Sequence, residues 1–188
     1  LFFGSCRISK LFEMLFFKDI NLDLLFFKMK INFLIAIVYL FSNAASATVI
    51  SNSGGSSISA FGESNTATYG QTFTVGSDSY LDDFTFFFDD RVNPDFVDFE
   101  AFIMGWDGTK ATGSILYQSP AISSSNNNGN GGFEAFNINV GGISLLSGQQ
   151  YVAFFSASNL FDGIQGTSDW SSSSNTYSGG NFVYMNNG

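Results

Sequence analysis

From Tyr69 onward the chain is built of short stretches in which apolar and polar residues alternate with period two, the spacing that sends successive side chains to opposite faces of a strand. Gly70-Gln71-Thr72-Phe73-Thr74-Val75 alternates Thr with Phe and Val and is closed by the turn residues Gly76-Ser77-Asp78-Ser79. Leu81 to Phe88 follows, with Phe84, Phe86 and Phe88 on one face and Asp83, Thr85 and Phe87 on the other. Asp89 to Asp95 collects turn formers and predicts a loop, after which Phe96 to Trp106 reads as a long strand. Asp107-Gly108 marks a hairpin back into Ser114 to Gln118.

Ser123 to Gly132 is a Ser/Asn/Gly run predicted to be an exposed, mobile loop. Phe133 to Val140 is the next strand, where Phe133, Ala135, Ile138 and Val140 imply a change of face around Asn137, and Gly141-Gly142 is predicted to turn the chain. Gln149 to Ser156 is apolar on both faces, as a central strand would be. Gly163 to Gly180 is polar and Ser-rich, and Phe182 to Met185 is the last strand in the pattern. Short strands, turn signals between them and no helical period predict an all-β fold, an antiparallel two-sheet β-sandwich of jelly-roll-like form over residues 69–188. Residues 48–68, opening on a Ser/Gly run, are predicted to be a flexible lead-in. Because the last strand ends so near Gly188, the domain is expected to be cut short there, leaving an unpaired edge.

The N-terminal part has a different pattern. Met29-Lys30 is followed by an eleven-residue, almost wholly apolar run from Ile31 to Phe41, then by small residues ending in Ala45-Ser46-Ala47. Basic start, short apolar core and small-x-small triplet are the parts of a secretory signal peptide, which predicts a helical leader over 29–47 cleaved between Ala47 and Thr48. The run is shorter than the roughly 20 apolar residues a membrane span needs, so no stable transmembrane segment is expected in the mature chain. Residues 1–28 precede the leader's Met and repeat Leu-Phe-Phe triplets; they are expected to be an upstream extension that is not part of the fold.

Composition narrows the chemistry. Phe accounts for 24 residues against 7 Lys plus Arg and 2 Pro, a balance that favours strands. There is no His, and Cys6 is the single Cys, so Ser/His/Asp and Cys/His nucleophile systems, zinc sites of the usual kind and an intrachain disulfide are all excluded. From Thr48 onward two basic residues, Arg91 and Lys110, stand against thirteen acidic ones, a net charge of −11. That sign argues against a nucleic-acid partner or an anionic membrane surface and is compatible with binding Ca²⁺.

Four segments resemble exported bacterial proteins that carry PEP-CTERM or similar C-terminal sorting anchors, many with a β-sandwich domain of unassigned role. They are Gly70-Gln71-Thr72-Phe73, Leu81 to Phe86, Trp106 to Gly113 with Leu116-Tyr117, and Leu146 to Phe154, with Gly179 to Val183 and Asn186-Asn187-Gly188 resembling the family's late strand and turn. The resemblance spans roughly Gly70 to Gly188 and implies a protein secreted to, or held at, the outer envelope of a Gram-negative bacterium, with exopolysaccharide or other envelope components as partners. The family's Pro-Glu-Pro motif, apolar helix and basic tail are not among these residues.

Three sets of residues carry candidate chemistry. Trp106 and Asp107, joined by Tyr117, Trp170 and Tyr177, would offer an aromatic platform beside a carboxylate for a sugar ring; the plainer reading ends a core strand at Trp106 and makes a turn of Asp107-Gly108. Asp82, Asp83, Asp89, Asp90 and Asp95, with Asn93, would supply oxygen ligands for Ca²⁺, against the plainer reading of a solvated acidic surface. Asp98 and Glu100, about 6.5 Å apart on one strand face, have the carboxylate separation of a glycosidase but also the look of an ordinary solvent-facing strand. The expected function is therefore a non-catalytic exported protein of the envelope or extracellular matrix. The alternatives are a carbohydrate-binding module and, more remotely, a carboxylate-based glycoside hydrolase; no cofactor other than calcium is expected.

Overall fold

The structure is a computed structural model that describes residues 27–28, 30–32, 56–63, 65–77, 79–125, 127–172 and 178–186. The chain divides into two compact units, Leu1–Ser46 and Ala47–Gly188. In the first, the described residues Phe27, Lys28, Lys30, Ile31 and Asn32 are helical. Most of the predicted leader, and the predicted cleavage point at Ala47 and Thr48, lie outside the described residues. Among the described residues no helix is long and apolar enough to cross a membrane.

The described residues of the second unit are all-β, with ten strands among them: β1 (Ser56–Glu63), β2 (Thr68–Thr74), β3 (Tyr80–Asp90), β4 (Asp98–Trp106), β5 (Ala111–Gln118), β6 (Ile122–Ser123), β7 (Glu134–Ser144), β8 (Gln150–Ser156), β9 (Gly166–Ser172) and β10 (Phe182–Met185). They form two antiparallel sheets, one in the order β1-β9-β3-β7 and one in the order β10-β2-β8-β4-β5, with β6 beside β4. The pairings nest: β1 with β9, β2 with β8, β3 with β7 and β4 with β5, each inner pair enclosed in sequence by the one before it.

One aromatic core lies between the sheets, giving a β-sandwich-like arrangement. Phe88 from β3, Trp170 from β9 and Ile138 and Val140 from β7 meet Tyr69, Phe99, Ile103 and Phe155 from the other sheet, with Phe61 of β1 among them. Their rings stand tilted or edge-on at centroid separations such as 5.2 Å for Phe61 and Phe88 and 4.8 Å for Phe88 and Trp170. Each such pair adds about 0.5–1.5 kcal/mol to the burial of its rings. The predicted alternation holds along β3, where Phe84, Phe86 and Phe88 face the core and Asp83, Thr85 and Phe87 face away.

Five segments differ from expectation. The predicted lead-in contains β1, because pairing with β9 satisfies its backbone and Ile58, Ala60 and Phe61 bring apolar groups to the core. The predicted loop at Asp89-Asp90 is the end of β3, held by pairing to Asp169 and Ser168. Within the polar stretch 163–180 lies β9, between β1 and β3, whose inward Trp170 is only 4% exposed. In β7 there is no change of face at Asn137: Phe136, Ile138 and Val140 all pack inward. Gly141-Gly142 is a bulge in that strand, with φ of 76° and 79° and a register shift against Leu81 and Asp83.

The Tyr69 hydroxyl is attached to a core ring, and burial holds its pKa above the usual 10.0; a hydrogen bond with Thr66 pulls the other way and the charge of Asp169 adds to the rise. The folded state thus keeps this proton at a pH where the unfolded chain loses it, which favours unfolding. Stability is expected to be unaffected by this group below pH 10 and to fall as the pH climbs from there toward the folded pKa. Urea midpoints measured from pH 8 to 11.5 should show the fall, and Tyr69→Phe should flatten it; equal slopes for the two proteins would refute the assignment.

Candidate functional site

The five acidic residues considered for calcium do not converge. Asp82 and Asp83 lie near the start of β3 and Asp89 and Asp90 at its end, about 20 Å away along an extended strand. Asp83 accepts a hydrogen bond from Asn137 Nδ2 at 3.2 Å, and that amide also donates to Thr85 Oγ1 at 2.8 Å. Asp95 is in the β3–β4 connection, where its Oδ1 accepts the Phe96 N–H at 2.9 Å. That connection borders a shallow open cleft with Glu63, Asp98, Phe161 and Asp162. The cleft's carboxylates serve local structure: Glu63 accepts the N–H groups of Asp162 and Gly163, and Asp162 accepts that of Ile164.

The proposed sugar platform is likewise dispersed. Trp106 is half-buried at the end of β4, on the face opposite the core, and pairs with Ala111. Asp107 organises the turn: its Oδ1 accepts the Lys110 N–H, the Thr109 hydroxyl and the Thr109 N–H at 2.8–2.9 Å, and these bonds hold its pKa below the usual carboxylate value. Tyr117 stands opposite Ile103 and packs against the core, and Trp170 is inside it. Tyr177 lies outside the described residues.

Asp98 and Glu100 share the outward face of β4 with Phe102, as the alternation predicts, and each is engaged across strands. Ser123 Oγ donates to Asp98 Oδ1, and Gln118 Nε2 donates to Glu100 Oε1 at 3.0 Å.

No family model, curated protein or solved structure matches this chain. What can be said of its chemistry therefore rests on the residues themselves.

Where β3 meets β9, several buried polar side chains come together. Asp90 is 6% exposed; its Oδ2 accepts the N–H groups of Asn127 and Asn128 at 2.9 and 3.0 Å, while Glu134 on β7 takes the Ser125 hydroxyl at 2.6 Å. Two carboxylates thus tether the Ser/Asn/Gly loop that composition predicted to be mobile; residues 128–132 are exposed, but the loop is anchored at Ser125, Asn127 and Asn128. Asp90→Ala removes the acceptor of two N–H groups and is expected to cost about 1–3 kcal/mol. Faster amide exchange at Asn127 and Asn128, with the rest of the sheet unchanged, is the signature to look for. Unchanged exchange there would show the tether to be dispensable.

Around the same junction, Asp89 Oδ1, Asp90 Oδ1, Ser168 Oγ, Asp169 Oδ1 and Ser171 Oγ are all shielded from solvent without a hydrogen-bond partner. These are all of the buried unpartnered side-chain oxygens among the described residues, and they fall in one pair of strands. Ser168, Asp169 and Ser171 escaped sequence reasoning because they sit in a run that reads as a solvated loop. The signal that could have found them is the lone Trp170 in Thr167-Ser168-Asp169-Trp170-Ser171, a residue too large and apolar for a disordered tract.

Proposed function

We propose that this chain is a non-catalytic, exported protein of the bacterial envelope or extracellular matrix, whose β-domain is a jelly roll. The nested pairing supports the topology: it is what results when one long antiparallel ribbon is folded over so that its strand pairs alternate between two sheets. The apolar run and small-residue triplet ahead of Thr48 support export, and the resemblance to anchor-sorted exported proteins supports the destination.

The observation that carries the reading is how the side chains are divided between inside and outside. Trp170 and most of the Phe rings of the sheets go to the core, while the outward face of the four-stranded sheet carries, beside Phe87, the short polar groups of Asp83, Thr85 and Asn137, bonded to one another. Such a surface is suited to remaining soluble and extended in a hydrated matrix. The carboxylate pair Asp98 and Glu100, each committed to a neighbouring strand, supports a non-catalytic role. Expression in a Gram-negative host with a C-terminal tag tests it: the protein should be recovered outside the cytoplasm with Thr48 as its N-terminal residue. Cytoplasmic protein retaining residues 29–47 would overturn it.

One arrangement favours a second reading, a carbohydrate-binding module. On the outward face of the six-stranded sheet the rings of Phe102 and Phe154 stack at 5.0 Å and 13°, with Trp106 further along β4 on the same face. Retardation of the protein in gels containing soluble polysaccharide, lost in Trp106→Ala, would support this reading over a passive matrix role.

A further inference from the structure

We propose that the facing stretches of β3 and β9 form a binding site for a hard divalent cation, calcium, held by the carboxylates of Asp89 and Asp169 with the hydroxyl of Ser171. Asp89 and Asp169 are direct cross-strand partners. The neighbouring rung, Phe88 with Trp170, points into the core, so Asp89 and Asp169 share the outward face. Residues directly opposite in an antiparallel pair have Cβ atoms about 4.5–5.5 Å apart, and like charges there repel. Ionised carboxylates placed this way call for a positive charge between them.

The local cation is insufficient. Arg91 Nε lies 3.4 Å from Asp169 Oδ1, an ion-pair distance whose geometry is not that of a hydrogen bond, and its side chain is 46% exposed. It brings one positive charge to two negative ones. Both Oδ1 atoms remain shielded and without a hydrogen bond, a costly state for an anionic oxygen in a folded protein.

Ser171 points to a ligand independently of the acids. It is 8% exposed, its Oγ has no hydrogen-bond partner, and it follows Asp169 by two residues on the same strand, which puts it on the same face. A hydroxyl can rotate to find almost any neighbouring acceptor or donor, so one left without a hydrogen bond on the strand face of Asp169, where neither Asp89 Oδ1 nor Asp169 Oδ1 has a hydrogen bond either, is placed for a partner other than a side chain. The three groups offer oxygen alone, the preference of hard cations. They leave the rest of a coordination shell to waters carried in with the ion and to backbone carbonyls, which suits the irregular six- to eightfold shell of Ca²⁺ better than the strict octahedron of Mg²⁺. Bound there, calcium would tie β9 to β3, the middle pair of the four-stranded sheet.

Thermal unfolding of the full chain in EDTA and in millimolar CaCl₂ tests the site. Calcium at about a hundred times its dissociation constant should raise the melting temperature by roughly 5–10 °C, with MgCl₂ doing less. Asp89→Asn relieves the repulsion, so in EDTA it should melt at or above the wild-type temperature while losing the calcium response; Asp169→Asn should lose the response as well. Ser171→Ala should leave melting in EDTA unchanged and weaken calcium binding several-fold by isothermal titration. Identical wild-type melting in CaCl₂ and EDTA, with no heat of titration, would overturn the proposal. So would a full calcium response retained by both Asp variants.

Discussion

Phe155→Ala is expected to cost about 3–5 kcal/mol of folding stability, most of what holds a domain at the lower end of the usual range of about 5–15 kcal/mol. Phe155 is fully buried in β8, the strand between β2 and β4. Its ring lies 4.6 Å from that of Phe99 on its own sheet and 5.0, 5.4 and 5.6 Å from Phe86, Phe88 and Trp170 on the other. It is therefore one of the rings through which the two sheets touch, with Phe99 and Tyr69, and its removal opens a cavity whose walls are other rigid rings. Flat rings held by two sheets cannot collapse inward as a cluster of Leu side chains would, so the cost should fall toward the upper end of the range. The control is Phe133→Ala, whose side chain is 39% exposed ahead of β7 and should change stability by less than about 0.5 kcal/mol. Guanidinium unfolding of the two variants gives the comparison directly. Similar midpoints would mean that the aromatic core is not where the stability resides.

The parts of this fold that could be read from the sequence are those where side-chain burial selects each strand. In β3 the inward Phe84, Phe86 and Phe88 alternate with outward Asp83 and Thr85, and in β8 an apolar run marks a strand covered on both faces. The strands that resisted reading, β1 and β9, carry few apolar side chains, Ile58, Ala60 and Phe61 in one and Trp170 in the other, and are otherwise joined through their backbones. Strand β9 has partners on both sides, so its polar main chain is satisfied, and it needs only Trp170 to fasten it to the core. Its remaining Ser and Thr side chains look like loop composition because period-two reading detects hydrophobicity rather than hydrogen-bond pairing. Gly141-Gly142 misled for a related reason: positive φ serves a bulge within a strand as well as a turn between two.

The candidate site was half legible for the same reason. Asp89 stood out as one of an acidic pair, but its cross-strand partner Asp169 is 80 residues away in the segment that read as loop. The acids adjacent in sequence, Asp82-Asp83 and Asp95, fall elsewhere. Strand register brings Asp89 and Asp169 together, and register depends on β9 being recognised as a strand.

That dependence makes the closeness of β1 to β9 testable through a single glycine. Gly62 in β1 has a φ of 118°, a conformation that L side chains rarely adopt, and it pairs with Thr167 of β9. A Cβ added there would run into the carbonyl oxygen of Gly166 and come within 2.9 Å of a Val97 methyl. The first obstacle is backbone in a paired strand and cannot swing aside; the second is a residue 2% exposed in the core. Gly62→Ala therefore combines a strained backbone with overpacking, at roughly 1–3 kcal/mol for each. A loss of about 2–4 kcal/mol is expected after partial relaxation, with increased amide exchange in Gly166 to Ser168, where β9 would be pushed off its partner. Gly76→Ala is the matched control, since nothing lies within 4 Å of the Cβ it would add. Equal stability of the two variants would show that β1 does not pack against β9 as closely as this geometry requires, and would weaken with it the register that sets Asp169 opposite Asp89.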